Sequence, residues 1–219
     1  MGGGAWSNGS SANTPVPVHC GCSIWDRGGG YFCEQLAAKG YRMTAADFLP
    51  GGLRRLQLAG VAAAACLAEQ LPFGDASFDA ALALDVLEHV EDRTAARELA
   101  RVIRPKGLLF VTVPAFAWLW SYRDEAAGHR RRYHRAMLEQ LLAEAGFQVE
   151  QAGYYQFFLF PVTIASRWLG RRSRAARDLE DLPPAAINAA FRLVTRAEVT
   201  LGHRWPCGSS LVAVARKRF

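Results

Sequence analysis

Four stretches of this chain carry residue types and spacings that could do chemistry. Asp85-Val86-Leu87-Glu88-His89 puts two acids and an imidazole within five positions, directly after an apolar run. His89 is the side chain whose ordinary titration lies nearest neutral pH, so it is the candidate for moving a proton; the alternative is a histidine bonded inside its own loop. Asp26-Arg27-Gly28-Gly29-Gly30 is a glycine turn of the kind that lets a ligand approach the backbone and permits positive φ. Asp47 follows the run Tyr41–Ala46, and a carboxylate at such a strand end can accept hydrogen bonds from both ribose hydroxyls of an adenosine cofactor. The same aspartate could instead cap a helix or turn before Pro50-Gly51-Gly52. Last, the aromatics Trp118, Trp120 and Tyr122 precede a polar cluster of Asp124, His129, Arg131, Arg132 and Tyr133. Arginines there could hold a phosphate or carboxylate, or form an exposed basic turn before the next helix.

The elements that must position these groups are legible from patterning. Ser77–Leu84 and Leu108–Val113 are apolar without clean alternation, as in strands covered on both faces. Between them Asp92–Ile103 has helical spacing, with acids near its start and Arg101 and Arg104 near its end, matching the helix dipole. Pro105-Lys106-Gly107 is expected to stop that helix and turn the chain. Strand, crossover helix, strand is the unit of an open α/β sheet, whose ligands bind at the C-terminal strand edge. Further strands are expected at Tyr41–Ala46, Val61–Leu67, Phe147–Tyr155 and Ser209–Ala215, and helices at Tyr31–Lys39 and Arg135–Ala145. The first strand has two registrations, one ending at Ile24-Trp25 with the turn at 26–30, the other turning at Gly21-Cys22-Ser23. A nicotinamide-dinucleotide fingerprint fits poorly, because counting from Gly28 and Gly30 its third glycine falls on Cys33.

Leu71-Pro72-Phe73 with Ser77-Phe78-Asp79, then DVLEHV, then ELARVIRPKG resemble the central blocks of class I S-adenosylmethionine-dependent methyltransferases, of the small-molecule and lipid methylating subgroup. The likeness runs over about residues 24 to 155, with a weaker echo at the C-terminus. It implies a Rossmann-like α/β fold, with a mainly parallel seven-stranded sheet and an antiparallel last strand. It also implies S-adenosyl-L-methionine as cofactor, met by Asp26, Gly28, Gly30, Asp47, Phe48, Ala68, Glu69, Asp85 and Val86. His89 would be the catalytic base, and Trp120, Tyr122, Asp124, His129, Arg132 and Tyr133 would face the substrate. The chain departs from the family where Phe32 stands near a third glycine and Leu67 stands where an aspartate usually meets adenine. A catalytically silent module of the same fold, binding a membrane or protein partner, is therefore the rival expectation.

Between the sixth and last strands, residues 157–205 form an insert expected to be helical, one helix from the Phe157–Ile164 stretch into Arg171-Arg172 and a second at Ala185–Leu201. Aromatic anchors joined to arginines fit an interfacial pair on an anionic bilayer, a cap over the site, or a dimer interface. The net charge of +6 favours an acidic partner only mildly, with a membrane surface ahead of nucleic acid, which is not expected. Residues 1–17 are Gly, Ser, Asn and Pro with little to bury and read as a tail ahead of one domain, 18–219. Five cysteines show no disulfide framework, and His19-Cys20-Gly21-Cys22 lacks a second ligand pair, so no metal is expected from spacing. With no secretory leader and no apolar run of about 18 residues, the expected location is cytoplasmic, with peripheral contact at the inner membrane face.

Overall fold

The computed structural model describes residues 19–24, 31–48, 50–172, 185–201 and 205–219. The tail at 1–17 lies outside them. Seven strands form one sheet: β1 (His19–Ile24), β2 (Arg42–Asp47), β3 (Ala62–Ala65), β4 (Phe78–Leu84), β5 (Ile103–Pro114), β6 (Phe147–Tyr155) and β7 (Ser210–Lys217). Their spatial order is β3-β2-β1-β4-β5-β7-β6. The first five pair in parallel, whereas β7 runs antiparallel to both β5 and β6. Strand order reverses direction between β1 and β4, which makes their C-terminal ends the switch point where such sheets hold ligands.

The registration question resolves at β1. Gly21, Cys22 and Ser23 pair with Thr44, Ala45 and Ala46 on one side and Ala81, Leu82 and Ala83 on the other, so they are strand and not turn.

Alternation along β4 sends successive side chains to opposite faces and so divides the core in two. Ala80 joins Cys33, Met43, Ala45, Leu53 and Leu56, a cluster closed by α1 (Tyr31–Ala38) and α2 (Pro50–Leu58). Ala81 and Ala83 join Leu109, Val111, Val113, Leu99, Val102, Leu138 and Leu142 beneath α3 (Asp92–Val102) and α5 (Arg135–Glu144). Alanines in the central strands let the helices approach closely. Truncating one of the packed leucines, such as Leu99, would cost about 2–5 kcal/mol.

α3 starts where Glu91 caps the amide of Thr94 at 2.7 Å. Near its end Arg101 donates to the Leu71 and Phe73 carbonyls and to Asp75 and Glu98, which pins the loop before β4 to the helix. The expected stop at Pro105-Lys106-Gly107 is not a separate turn. Ile103 already pairs with Phe78, and the register jumps so that Ala80 meets Leu108, leaving Arg104 and the three residues after it as an irregularity within β5. Glycine is required there, because a Cβ on Gly107 would lie 2.5 Å from Ile103 Cγ2 and 2.7 Å from the Asp79 carbonyl.

The segment after β5 and the insert complete the chain. The aromatics Trp118, Trp120 and Tyr122 lie on or beside a 3₁₀ turn at Ala117–Leu119 and a short helix, α4 (Tyr122–Ala126). Ser121 and Asp124 close a capping box on α4, and the S-x-x-D pattern in the sequence is its signature. The insert consists of α6 (Phe160–Arg172) and α7 (Ala185–Leu201), the latter with the expected bounds. No described helix is long and apolar enough to cross a membrane.

Candidate active site at the C-terminal strand edge

Asp47 ends β2 half-buried, and its carbonyl accepts from Cys66 N at 2.9 Å, which ties the ends of β2 and β3 together. Burial, with the neighbouring Asp47 charge, pushes the Cys66 thiol up. Phe48 beside it is half exposed, and Leu67 likewise. Ala68 is buried. Glu69 spends one carboxylate oxygen on the Glu91 amide at 3.0 Å, holding the start of α3 to this edge. Asp26, Gly28 and Gly30 lie outside the described residues.

Asp85 leaves β4 with φ 52, a left-handed conformation that only a sharp turn demands of an aspartate. Thr112 on β5 supports the turn. The Asp85 amide donates to the Thr112 carbonyl at 3.0 Å, and the Thr112 hydroxyl donates to Asp85 Oδ1 at 3.0 Å. The turn then directs Val86 and Leu87 into the core, both fully buried, so Val86 can meet a ligand only through its backbone.

Glu88 follows, completely buried, with neither carboxylate oxygen hydrogen-bonded among the described residues. Burial, reinforced by Asp85, raises its carboxyl well above the ordinary range. His89 is half-buried, and its imidazole is held below the ordinary value by burial and by the adjacent His129, against an opposing hydrogen bond with the Gly128 backbone. It is therefore neutral at pH 7. The His89 and His129 rings meet edge to face with centroids 4.7 Å apart.

The segment after β5 brings His129 to this place. Tyr133 N donates to the Pro114 carbonyl, Phe116 N to the Tyr133 carbonyl and Arg130 N to the Glu88 carbonyl, so residues 128–133 lie along the loop that follows β4. Asp124 is the hub, with a fully buried side chain. It accepts from Arg132 Nε at 2.7 Å, Arg167 Nη1 at 2.6 Å, and the Ser121 amide and hydroxyl, and pairs with His129 Nδ1 at 2.9 Å. Burial alone would raise its carboxyl, but the bonds from His129 and Arg132 and the charges of Arg132 and Arg167 hold it well below the usual carboxylate range.

The expectation that Asp124, Arg132 and Tyr133 touch substrate is corrected by burial. Their exposures are 1%, 6% and 0%, and their polar atoms are committed. Arg132 Nη1 donates to the Ala115 carbonyl, and the Tyr133 hydroxyl donates to the Leu87 carbonyl and lies 2.9 Å from Asp92 Oδ2. They hold the wall and do not line it. Trp120 and Tyr122 are half-buried on α4 and its approach, with Trp120 Nε1 3.5 Å from Glu125 and Tyr122 receiving Arg123. Trp118 is the more exposed aromatic; it stacks on Phe116, which in turn stacks on Tyr154 and contacts Phe160 of the insert.

Sequence reasoning overlooked Glu88, Thr112 and Arg167 as parts of this edge. Glu88 sits in the singled-out DVLEH motif, but only burial distinguishes it from a surface acid. No sequence signal pairs Arg167 with Asp124.

Comparison with known proteins agrees with this geometry. A family model described as a methyltransferase domain matches residues 21–111. A ubiquinone biosynthesis O-methyltransferase of Xanthomonas oryzae pv. oryzae is 34% identical over 184 residues, covering 78% of this chain and 70% of that protein. The chain belongs to the class I S-adenosylmethionine-dependent methyltransferases. A second member, the 27-O-demethylrifamycin SV methyltransferase of Amycolatopsis mediterranei, is 34% identical over 147 residues, 62% of this chain and 54% of that one. The crystal structure of an S-adenosylmethionine-dependent methyltransferase from Mesorhizobium loti shares the fold, with a TM-score of 0.62 at 15% identity over 91% of each chain. The chain spans from about a third to about half of the length of the first curated relatives it matches. Asp47 ends β2 and Asp85 follows β4, the two strands that flank β1. An acid at the end of β2 has the acceptor chemistry that a free ribose diol of an adenosine requires.

Proposed function

We propose that this protein transfers a methyl group to a hydroxyl of a small, partly apolar acceptor, with S-adenosyl-L-methionine as donor. The observation that supports it best is the neutral, half-buried His89 standing with Glu88 and His129 at the C-terminal strand edge. When bound, the cofactor supplies a methyl group on a sulfonium, which leaves as a neutral thioether. Asp47 accepts hydrogen bonds from the ribose hydroxyls, and Asp85, fixed by Thr112, borders the methionine half. His89 receives the acceptor's proton as its oxygen attacks, which is worth about 10²–10⁴ in rate, while alignment supplies about 7–11 kcal/mol. Asp124, Arg132 and Tyr133 keep the wall carrying His129 in register. Trp118, Trp120 and Tyr122 form the apolar lid over the acceptor.

We extend the reading to an anionic membrane surface. Val162 and Ile164 on α6 and Leu193 and Leu201 on α7 are exposed, and Arg192 and Arg196 share the second helix. Such a surface suits retrieval of a lipid-like acceptor. Flotation with anionic vesicles tests it, and absence of binding at low salt removes it.

The activity is tested by thermal shift with S-adenosylhomocysteine against NAD, followed by mass spectrometry on a panel of phenols and alcohols. Stabilisation by S-adenosylhomocysteine alone and a gain of one methyl group are expected. A protein that neither compound stabilises and that methylates nothing is a silent scaffold.

A further inference from the structure

We infer that Glu88, His89 and His129 form a binding site for one divalent first-row transition-metal ion, zinc by its donor chemistry. One donor atom from each of the three lies within 4.8 Å of the other two. Tetrahedral zinc with bonds of 2.0–2.1 Å needs donors about 3.3 Å apart, so closing on an ion takes side-chain movements of about 1 Å. Two imidazoles and one carboxylate select zinc and its neighbours over magnesium or calcium, which prefer all-oxygen shells. Three protein ligands leave a fourth position open, as in catalytic sites and unlike closed structural ones.

Three independent features single this cluster out from ordinary surface acids and histidines. Glu88 is fully buried, yet neither of its oxygens has a hydrogen-bond partner among the described residues. A buried carboxylate in that condition is costly, and a cation at its face removes the cost. His129 is oriented from behind, Nδ1 to Asp124 Oδ1 at 2.9 Å, which leaves Nε2 as its ligand atom. That is the carboxylate–histidine arrangement that fixes metal-ligating imidazoles. Asp124 is itself immobilised by Arg132, Arg167 and Ser121. His89 is held by a hydrogen bond with the Gly128 backbone and meets the His129 ring edge to face, centroids 4.7 Å apart, so its position in the cluster is fixed.

Binding of the ion stands apart from the methyltransferase reading; its use in catalysis rests on that reading. With the ion bound, His89 serves as a ligand. An ion held there would lower the pKa of an acceptor hydroxyl that reached it, so the proton would pass to solvent before the oxygen takes the methyl group from the sulfonium, which leaves as a thioether. Without the ion, His89 takes that proton directly.

The test uses the full chain, stripped with a chelator and titrated with Co²⁺ in the absence of cofactor and acceptor. The expected result is saturation at one equivalent, with the intense visible bands of four-coordinate cobalt, no thiolate charge-transfer band, and displacement by Zn²⁺. Glu88→Gln and His129→Ala should each weaken binding by more than about 100-fold, beyond the usual loss of a supporting residue. His134→Gln, at the exposed start of α5, should bind as the parent does. No saturable binding, a thiolate band, or unchanged affinity in Glu88→Gln overturns the inference. Should His129→Ala fail to fold, Glu88→Gln decides, because it removes the carboxylate ligand without removing volume. A metal-free result leaves the thermal shift with S-adenosylhomocysteine untouched, so the two readings fail separately.

Discussion

Arg167, on the first helix of the insert, donates to the Asp124 carboxylate at 2.6 Å across 43 residues of sequence. Through Nη1 it also reaches the Leu119 carbonyl and the Ser121 hydroxyl. One guanidinium thus joins the insert to the segment after β5 and to the hub that orients His129.

Breaking this junction should be expensive from the buried side. Asp124→Asn leaves the Arg132 guanidinium, 2% exposed, without its counter-charge and should cost about 3–5 kcal/mol in urea denaturation. Arg167→Ala leaves the Arg132 and His129 partners of Asp124 in place and should cost less. A loss below about 1 kcal/mol for Asp124→Asn would mean that the hub is not a structural charge.

The same carboxylate sets an acid limit. Its folded value is depressed below its unfolded one, so in acid the unfolded state binds more protons. The stability it contributes is present above about pH 4 and is lost as pH falls further. Denaturation midpoints followed downward from pH 6 should fall in the parent and fall less steeply in Asp124→Asn.

Glu88 acts with the opposite sign. Its folded value is raised, so from about pH 4.5 upward the unfolded state releases its proton first and the metal-free protein loses stability as pH rises towards the folded value. In chelator, Tm should decline as pH rises above about 4.5, and Glu88→Gln should flatten that decline. Added Zn²⁺ should restore the parent and not the variant.

His89→Ala should lower kcat by about 10²–10⁴ while leaving affinity for S-adenosylhomocysteine within about twofold. In the metal-free parent, kcat should rise with pH through an apparent value below the ordinary histidine 6.5, because burial and His129 disfavour the imidazolium. A profile centred above 6.5 would contradict the role of base.

Asp47→Ala removes a charge-assisted acceptor from the ribose, worth about 1.5–3 kcal/mol per bond. Calorimetry should show S-adenosylhomocysteine bound roughly ten- to a hundredfold more weakly. Unchanged affinity would place the ribose elsewhere.

Much of the fold is written in local patterns. The β6 bounds at Phe147–Tyr155, the α7 bounds at Ala185–Leu201 and the α3 start at Asp92 follow from apolar period, caps and breakers, which are properties of neighbours in the chain. Asp47 and Asp85 at strand ends follow as well, since a strand's last residue is set by where its apolar run stops. Pro105-Lys106-Gly107 reads as a stop for the same reason. Its place inside β5 depends on the pairing of Ile103 with Phe78, which is a contact between strands.

The sequence by itself determined the fold class, the methyltransferase family and the acids at the strand edge. Only the tertiary structure decided which polar residues are wall and which are site. Asp124, Arg132 and Tyr133 have the composition of a binding cluster, but their burial depends on Ala115, Asp92 and Arg167 arriving from distant segments. Glu88, His89 and His129 meet for the same reason. Burial and partnership are properties of the packed chain, and forty residues of sequence separate donors that folding brings within 4.8 Å.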